Sequence, residues 1–152
     1  MNLEHFANLA DIVSSIGVVV SLIYVSVQIR QNTRAQKAAT YNALTSNTVA
    51  ILSPLLADPG ITEFIVRVQS NPDTATPAEK LRFHTFLLIG FRHWDNLYFQ
   101  YRSGALDEGM WRSYDRTMDK WMDNDAWRQW FRDNGSSFSP ELGDLLRERM
   151  KR

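Results

Sequence analysis

Two histidines on one apolar segment, His84 and His93, a third near the start, His5, and a crowd of carboxylates after residue 106 are the side chains of this 152-residue chain with the clearest capacity for chemistry. Imidazoles act as general bases or metal ligands when partners converge on them. His84 and His93 stand nine positions apart, about 900° of helical rotation, so they leave opposite faces and do not share a metal. No Glu-x-x-His pair of the kind a di-iron bundle uses is present. The acidic set Asp107, Glu108, Asp115, Asp119, Asp123 and Asp125 is interleaved with Arg112, Arg116 and Lys120. Arg112 with Asp115 and Arg116 with Asp119 form i, i+3 opposite pairs, the pattern of a solvated helix face. No serine sits in a nucleophile elbow, and no glycine-rich loop leads into a basic residue. The chain has no cysteine, which excludes disulfides and thiolate sites. The expectation is of no catalytic residue, no cofactor and no metal.

The remaining charged cluster is positional. Residues 12–29 contain no charge, and Arg30, Arg34 and Lys37 then arrive together. Eleven of those 18 residues are Ile, Val or Leu, and at about 1.5 Å per residue the run lies at the lower edge of the length that crosses roughly 30 Å of hydrocarbon. Every Lys and Arg of the chain lies from Arg30 onward. A cleaved signal peptide would carry its basic residues ahead of the apolar run, so an uncleaved anchor fits better. By the positive-inside rule the N-terminus faces outward and the remainder lies in the cytoplasm, with Arg30, Arg34 and Lys37 at the boundary. Ser14, Gly17, Ser21, Tyr24, Gln28 and Gln31 follow one another at spacings of 3, 4, 3, 4 and 3. This is a heptad seam of small and polar residues, continued by Ala35, Ala38, Asn42 and Thr45, and such seams let helices approach closely in lipid. The seam is a candidate helix–helix interface or, alternatively, the lining of a small homo-oligomeric channel. A third possibility is that its serines simply bond their own backbone.

The elements behind the anchor read as all-α. No breaker interrupts residues 31–53, so the anchor, residues 1–30, continues into a stalk, residues 31–57, which Pro54 kinks or interrupts and Asp58-Pro59-Gly60 stops. A helical domain occupies residues 58–152. Its first helix spans 61–69 with Ile61, Phe64, Ile65 and Val68 on one face. Thr76, Pro77 and Glu79 make a capping box for the central helix, which Gly104 ends. The next helix starts near Asp107 and turns Trp111, Tyr114, Met118 and Trp121 or Met122 inward. Asp125 caps a shorter helix with Trp127, Trp130 and Phe131 inside, and Ser139 caps a last one. The basic tail, residues 147–152, is expected to fray. The aromatics Trp94, Tyr98, Tyr101, Trp111, Tyr114, Trp121, Trp127 and Trp130 are expected mostly in the core.

Three stretches, "IVSSIGVVVSLIYVSVQIRQNTRA", "NLYFQYRSGALDEGMW" and "WRQWFRDNGSSFSPEL", together resemble a widespread bacterial family of small single-pass membrane proteins of unknown function. Members of that family carry an apolar helix ending in QIRQNTRA, a YRxGxLDExxW motif and an FSPE tail. This chain departs conservatively, with Phe131 after Trp130 and Leu142 closing the tail motif. The resemblance implies a bacterial inner-membrane protein with a helical domain, and implies no activity, substrate or catalytic residue. The formal net charge of zero gives no pull toward nucleic acid. The expected partners are membrane lipid and either a second copy of the chain or a larger membrane complex. The function expected is that of an interaction, scaffold or accessory subunit.

Overall fold

The computed structural model describes the backbone of residues 3–151 and the side chains of residues 14–151; the readings on His5, Ile12 and Val13 lie outside the described side chains. All regular structure among the described residues is helical. The order is α1 (Leu3–Ala57), α2 (Pro59–Ser70), α3 (Pro77–Arg102), α4 (Glu108–Met122), α5 (Asp125–Asn134) and α6 (Pro140–Arg149), with short 3₁₀ turns at Pro72–Thr74 and Gly135–Ser137. The long N-terminal helix followed by a small bundle is the expected architecture. The chain divides into two compact units, Met1–Ala39 and Thr40–Arg152.

The described residues of the first unit, 3–39, are all helical. Its hydroxyls close on the backbone one turn earlier: Ser21 Oγ donates to the Gly17 carbonyl at 2.8 Å, Ser26 Oγ to Leu22 at 2.8 Å and Thr33 Oγ1 to Ile29 at 2.9 Å. These polar groups therefore make no demand on a neighbour or on water.

The second unit begins inside α1. Leu44 is buried, and Thr48, Ile51 and Leu55 are half-buried at spacings of 4, 3 and 4, one face of the helix. Residues 40–57, read from the sequence as the lower part of a stalk, thus belong with the bundle. Pro54 lies within α1, where it removes one N–H without ending the helix, and the Asp58 N–H still reaches the Pro54 carbonyl at 3.1 Å. The Asp58 carboxylate then accepts from Gly60 N at 2.9 Å with Pro59 in the first helical position. Asp-Pro-Gly accordingly stops one helix and starts the next, so α2 opens two residues earlier than the sequence reading placed it.

The remaining helix ends follow the same chemistry. The Thr76–Glu79 capping box forms as expected, and Arg67 of α2 pairs with Glu79. The backbone N–H of Thr76, followed by Arg67, holds the Glu79 carboxyl below its ordinary range. At the end of α3, Gly104 takes φ +77°. It donates to the Tyr101 carbonyl at 3.0 Å while Ala105 N reaches Gln100 at 3.0 Å, a double closure that needs a left-handed residue. Asp107 caps α4 through Met110 N at 2.9 Å. The cap of α5 is Asn124 rather than Asp125: its side-chain oxygen accepts from Ala126 N at 2.9 Å and Trp127 N at 3.3 Å, and Asp125 is the first helical residue. Ser139 caps α6 through Leu142 N at 3.2 Å.

Phe91 of α3 is the hub of the core. Its ring lies 5.2 Å from Trp130 in a stacked pair and within 5.1–6.2 Å of Trp94, Trp127, Phe131 and Phe138. Around it are buried Val68, Phe83, Leu87, Leu97, Leu106, Met118, Leu142 and Leu146. Of the eight aromatics expected inside, Trp94, Trp111, Trp127 and Trp130 are buried and Tyr98, Tyr101, Tyr114 and Trp121 half-buried.

Candidate functional site

No described residue covers the apolar part of α1. Every described side chain from residue 14 to residue 39 is exposed. Among them are nine aliphatic residues, Ile16, Val18, Val19, Val20, Leu22, Ile23, Val25, Val27 and Ile29. Fully burying one such side chain is worth roughly 1.5–3 kcal/mol, and these nine are 46–62 % exposed, so leaving them in water forgoes on the order of 10 kcal/mol, comparable with a whole domain's stability. This surface requires a cover. The described part of α1, Ser14–Ala57, is long and apolar enough to cross a membrane by length and composition, with a mean hydropathy of 1.2 in its apolar window and none of that window buried.

The seam residues Ser14, Gly17, Ser21, Tyr24, Gln28 and Gln31 all lie on this uncovered stretch, and Tyr24 is 63 % exposed. Two of the links along it are internal: Ser21 to the Gly17 carbonyl, and Gln28 Nε2 donating to Tyr24 Oη at 3.0 Å. The third possibility left open by the sequence, serines bonding their own backbone, is therefore realised at Ser21, and it leaves the small-residue surface at Gly17 open. A Cβ added at Gly17 would meet nothing within 4 Å. Arg30, Arg34 and Lys37 are exposed, and none has an acidic partner among the described residues.

In the bundle, each described histidine has its own partner. Trp130 Nε1 donates to His84 Nδ1 at 3.1 Å. His93 Nε2 lies 2.8 Å from Thr48 Oγ1, whose hydroxyl is 2.9 Å from the Leu44 carbonyl. A hydroxyl has one proton, so with that proton on Leu44 the imidazole is the donor. Burial holds His93 below its ordinary value of 6.5, because a charged imidazole loses solvation there. The acidic face of α4 is paired differently from the i, i+3 pattern expected. Arg112 pairs with Glu108 one turn back, while Asp115 and Asp119 both hold Arg149 of α6. Arg149 is only 12 % exposed, so the tail does not fray before it; two carboxylates and the Asp115 carbonyl tie it down. Asp95 of α3 accepts from both the backbone N–H and the hydroxyl of Ser139, fixing the start of α6.

These three long-range links, Thr48–His93, Asp95–Ser139 and Arg149 with Asp115 and Asp119, span 30 to 45 positions of sequence. No local spacing signals them. They are structural ties, and among the described residues no three His, Asp or Glu side chains gather in a metal-binding group. Comparison of the chain with family models, with curated proteins and with solved structures finds no match.

Proposed function

We propose that this chain is a membrane-anchored interaction protein, in which the apolar part of α1 spans the bacterial inner membrane with its N-terminal end outside, and the bundle works in the cytoplasm as a scaffold or accessory subunit. The observation that carries the reading is the unbroken exposure of residues 14–39, which lipid and a partner helix would relieve together. Arg30, Arg34 and Lys37 follow the apolar run without carboxylate partners among the described residues, as expected of side chains facing anionic headgroups. The three-motif likeness to small single-pass bacterial membrane proteins supports the same placement.

The seam is the self-association surface in this reading. Gly17 and Ser21 permit close approach, and the Ser21 hydroxyl and one Gln28 N–H spend their protons within the helix, which favours a closed contact over a water-lined channel. The test is the native mass of the full-length protein extracted in mild detergent, with any copurifying chains identified. A homo-oligomer that becomes monomeric in Gly17→Leu/Ser21→Leu supports the seam. A larger complex that survives the double substitution moves the contact to the bundle, and a lone monomer in both forms removes self-association.

A further inference from the structure

The two turns of α1 that follow the apolar run are charged on one side only. Arg30, Arg34 and Lys37 are spaced 4 and 3, which at about 100° per residue gathers them into an arc of about 60°. The opposite side of the same turns carries Gln28, Asn32, Ala35 and Ala39, all neutral. No Asp or Glu occurs anywhere in residues 12–57. The three cations are exposed, and none has an acidic partner among the described residues. Cations that only orient a span need share no face, because that effect counts charge near the end of the span and not its direction. A shared face has a cost: like charges one turn apart repel, and no carboxylate along this stretch offsets them.

An anion seated between the cations removes that cost. Arg30 and Arg34 are one turn apart, about 5–6 Å between Cβ atoms, close enough for two guanidinium forks to take the oxygens of one phosphodiester. Lys37 starts about 10 Å along the axis from Arg30, a distance its long side chain shortens by lying along the helix. The place of the stripe selects the source of the phosphate. Arg30 comes directly after Ile29, the last residue of the uncharged run, so in a spanning chain the stripe begins where hydrocarbon gives way to headgroups. The seam residues of these turns, Gln28, Gln31, Ala35 and Ala38, are centred about 110° away around the helix. The stripe therefore stays open to lipid when seams pack.

We propose that Arg30, Arg34 and Lys37 form a one-sided binding site for the headgroup of an anionic phospholipid, its phosphodiester held between the two arginines and Lys37 adding charge. This inference rests on the membrane reading and not on the seam. Native mass spectrometry of the full chain released from nanodiscs of equal parts phosphatidylcholine and phosphatidylglycerol, counting the retained lipids by headgroup, tests it. Phosphatidylglycerol is expected to be enriched at least about fivefold, and Arg30→Gln/Arg34→Gln/Lys37→Gln is expected to abolish the enrichment. Asn32→Arg/Arg34→Gln keeps the charge and moves one cation to the opposite side of the helix, and is expected to lower the enrichment at least about threefold. A chain that enters the nanodiscs and retains both lipids alike overturns this inference alone, as does undiminished enrichment in either variant. A chain that stays out of the nanodiscs overturns the membrane reading and this inference with it.

Discussion

The two units of this chain use the same aliphatic alphabet to opposite ends. In residues 14–39, Val, Ile and Leu are all exposed; in the second unit, Val68, Leu87, Leu97, Leu142 and Leu146 are buried to 2 % exposure or less. The bundle contains its own explanation: each helix is capped, and its apolar face meets another. The first unit satisfies its backbone and hydroxyls along the helix but leaves its apolar surface uncovered. A helix whose hydroxyls bond its own backbone and whose aliphatic side chains are all exposed is suited to lipid rather than water. Even the motifs divide this way. Within YRxGxLDExxW, Tyr101 stacks on Trp111 at 5.2 Å, Gly104 supplies the left-handed turn and Asp107 caps α4. In QIRQNTRA, Gln28, Arg30, Gln31, Asn32 and Arg34 are exposed, and none belongs to the buried core.

That contrast is sharpest in paired truncations. Phe91→Ala removes the ring that touches five other aromatics and is expected to lower bundle stability by about 3–5 kcal/mol in chemical unfolding followed by tryptophan fluorescence. Val19→Ala, in the first unit, is expected to change the same transition by less than about 0.5 kcal/mol; a larger loss would mean that the first unit packs on the bundle. Gly104→Ala forces a Cβ into the left-handed region and is expected to cost about 1–2 kcal/mol. Gly90→Ala should go the other way, raising stability by about 0.5–1 kcal/mol, since the space for its methyl exists. A loss there would mean that Trp121, 3.5 Å from the added Cβ, cannot accommodate it.

The smallest effect is a pH dependence confined to the bundle. His93 is held below its ordinary value of 6.5 by burial, so the unfolded chain takes up this proton more readily than the folded one. Stability therefore falls as pH drops through 6.5, and this contribution levels off below the folded value. His93→Gln is expected to flatten that part of the slope, measured as unfolding midpoints between neutral and mildly acidic pH.

Helix existence and most helix ends were legible in the sequence because they rest on local chemistry. Thr76 with Glu79, Gly104, Asp107 and Ser139 each act within four residues of their own position. The misreadings are also local: Asn124 competes with its neighbour Asp125 for one cap, and Asp58 starts the helix it was expected only to precede. The long-range ties were illegible. Arg149 reads as part of a basic tail until α6 is laid against α4, and Thr48 reads as one polar residue of a stalk until His93 is beside it. The seam was legible as spacing, and its exposure is what gives that spacing something to do.

If the exposed seam of α1 packs against a second copy in the membrane, contact is confined to one face of the helix. Because the chain has no cysteine, single substitutions can report that contact cleanly. Gly17→Cys and Ser21→Cys lie on the seam; Val19→Cys and Leu22→Cys lie on the far side, at about 100° per residue. Oxidation of native membranes carrying each variant should give a disulfide-linked dimer at positions 17 and 21 and little at 19 and 22. Equal cross-linking at all four positions, or none at any, would contradict the account.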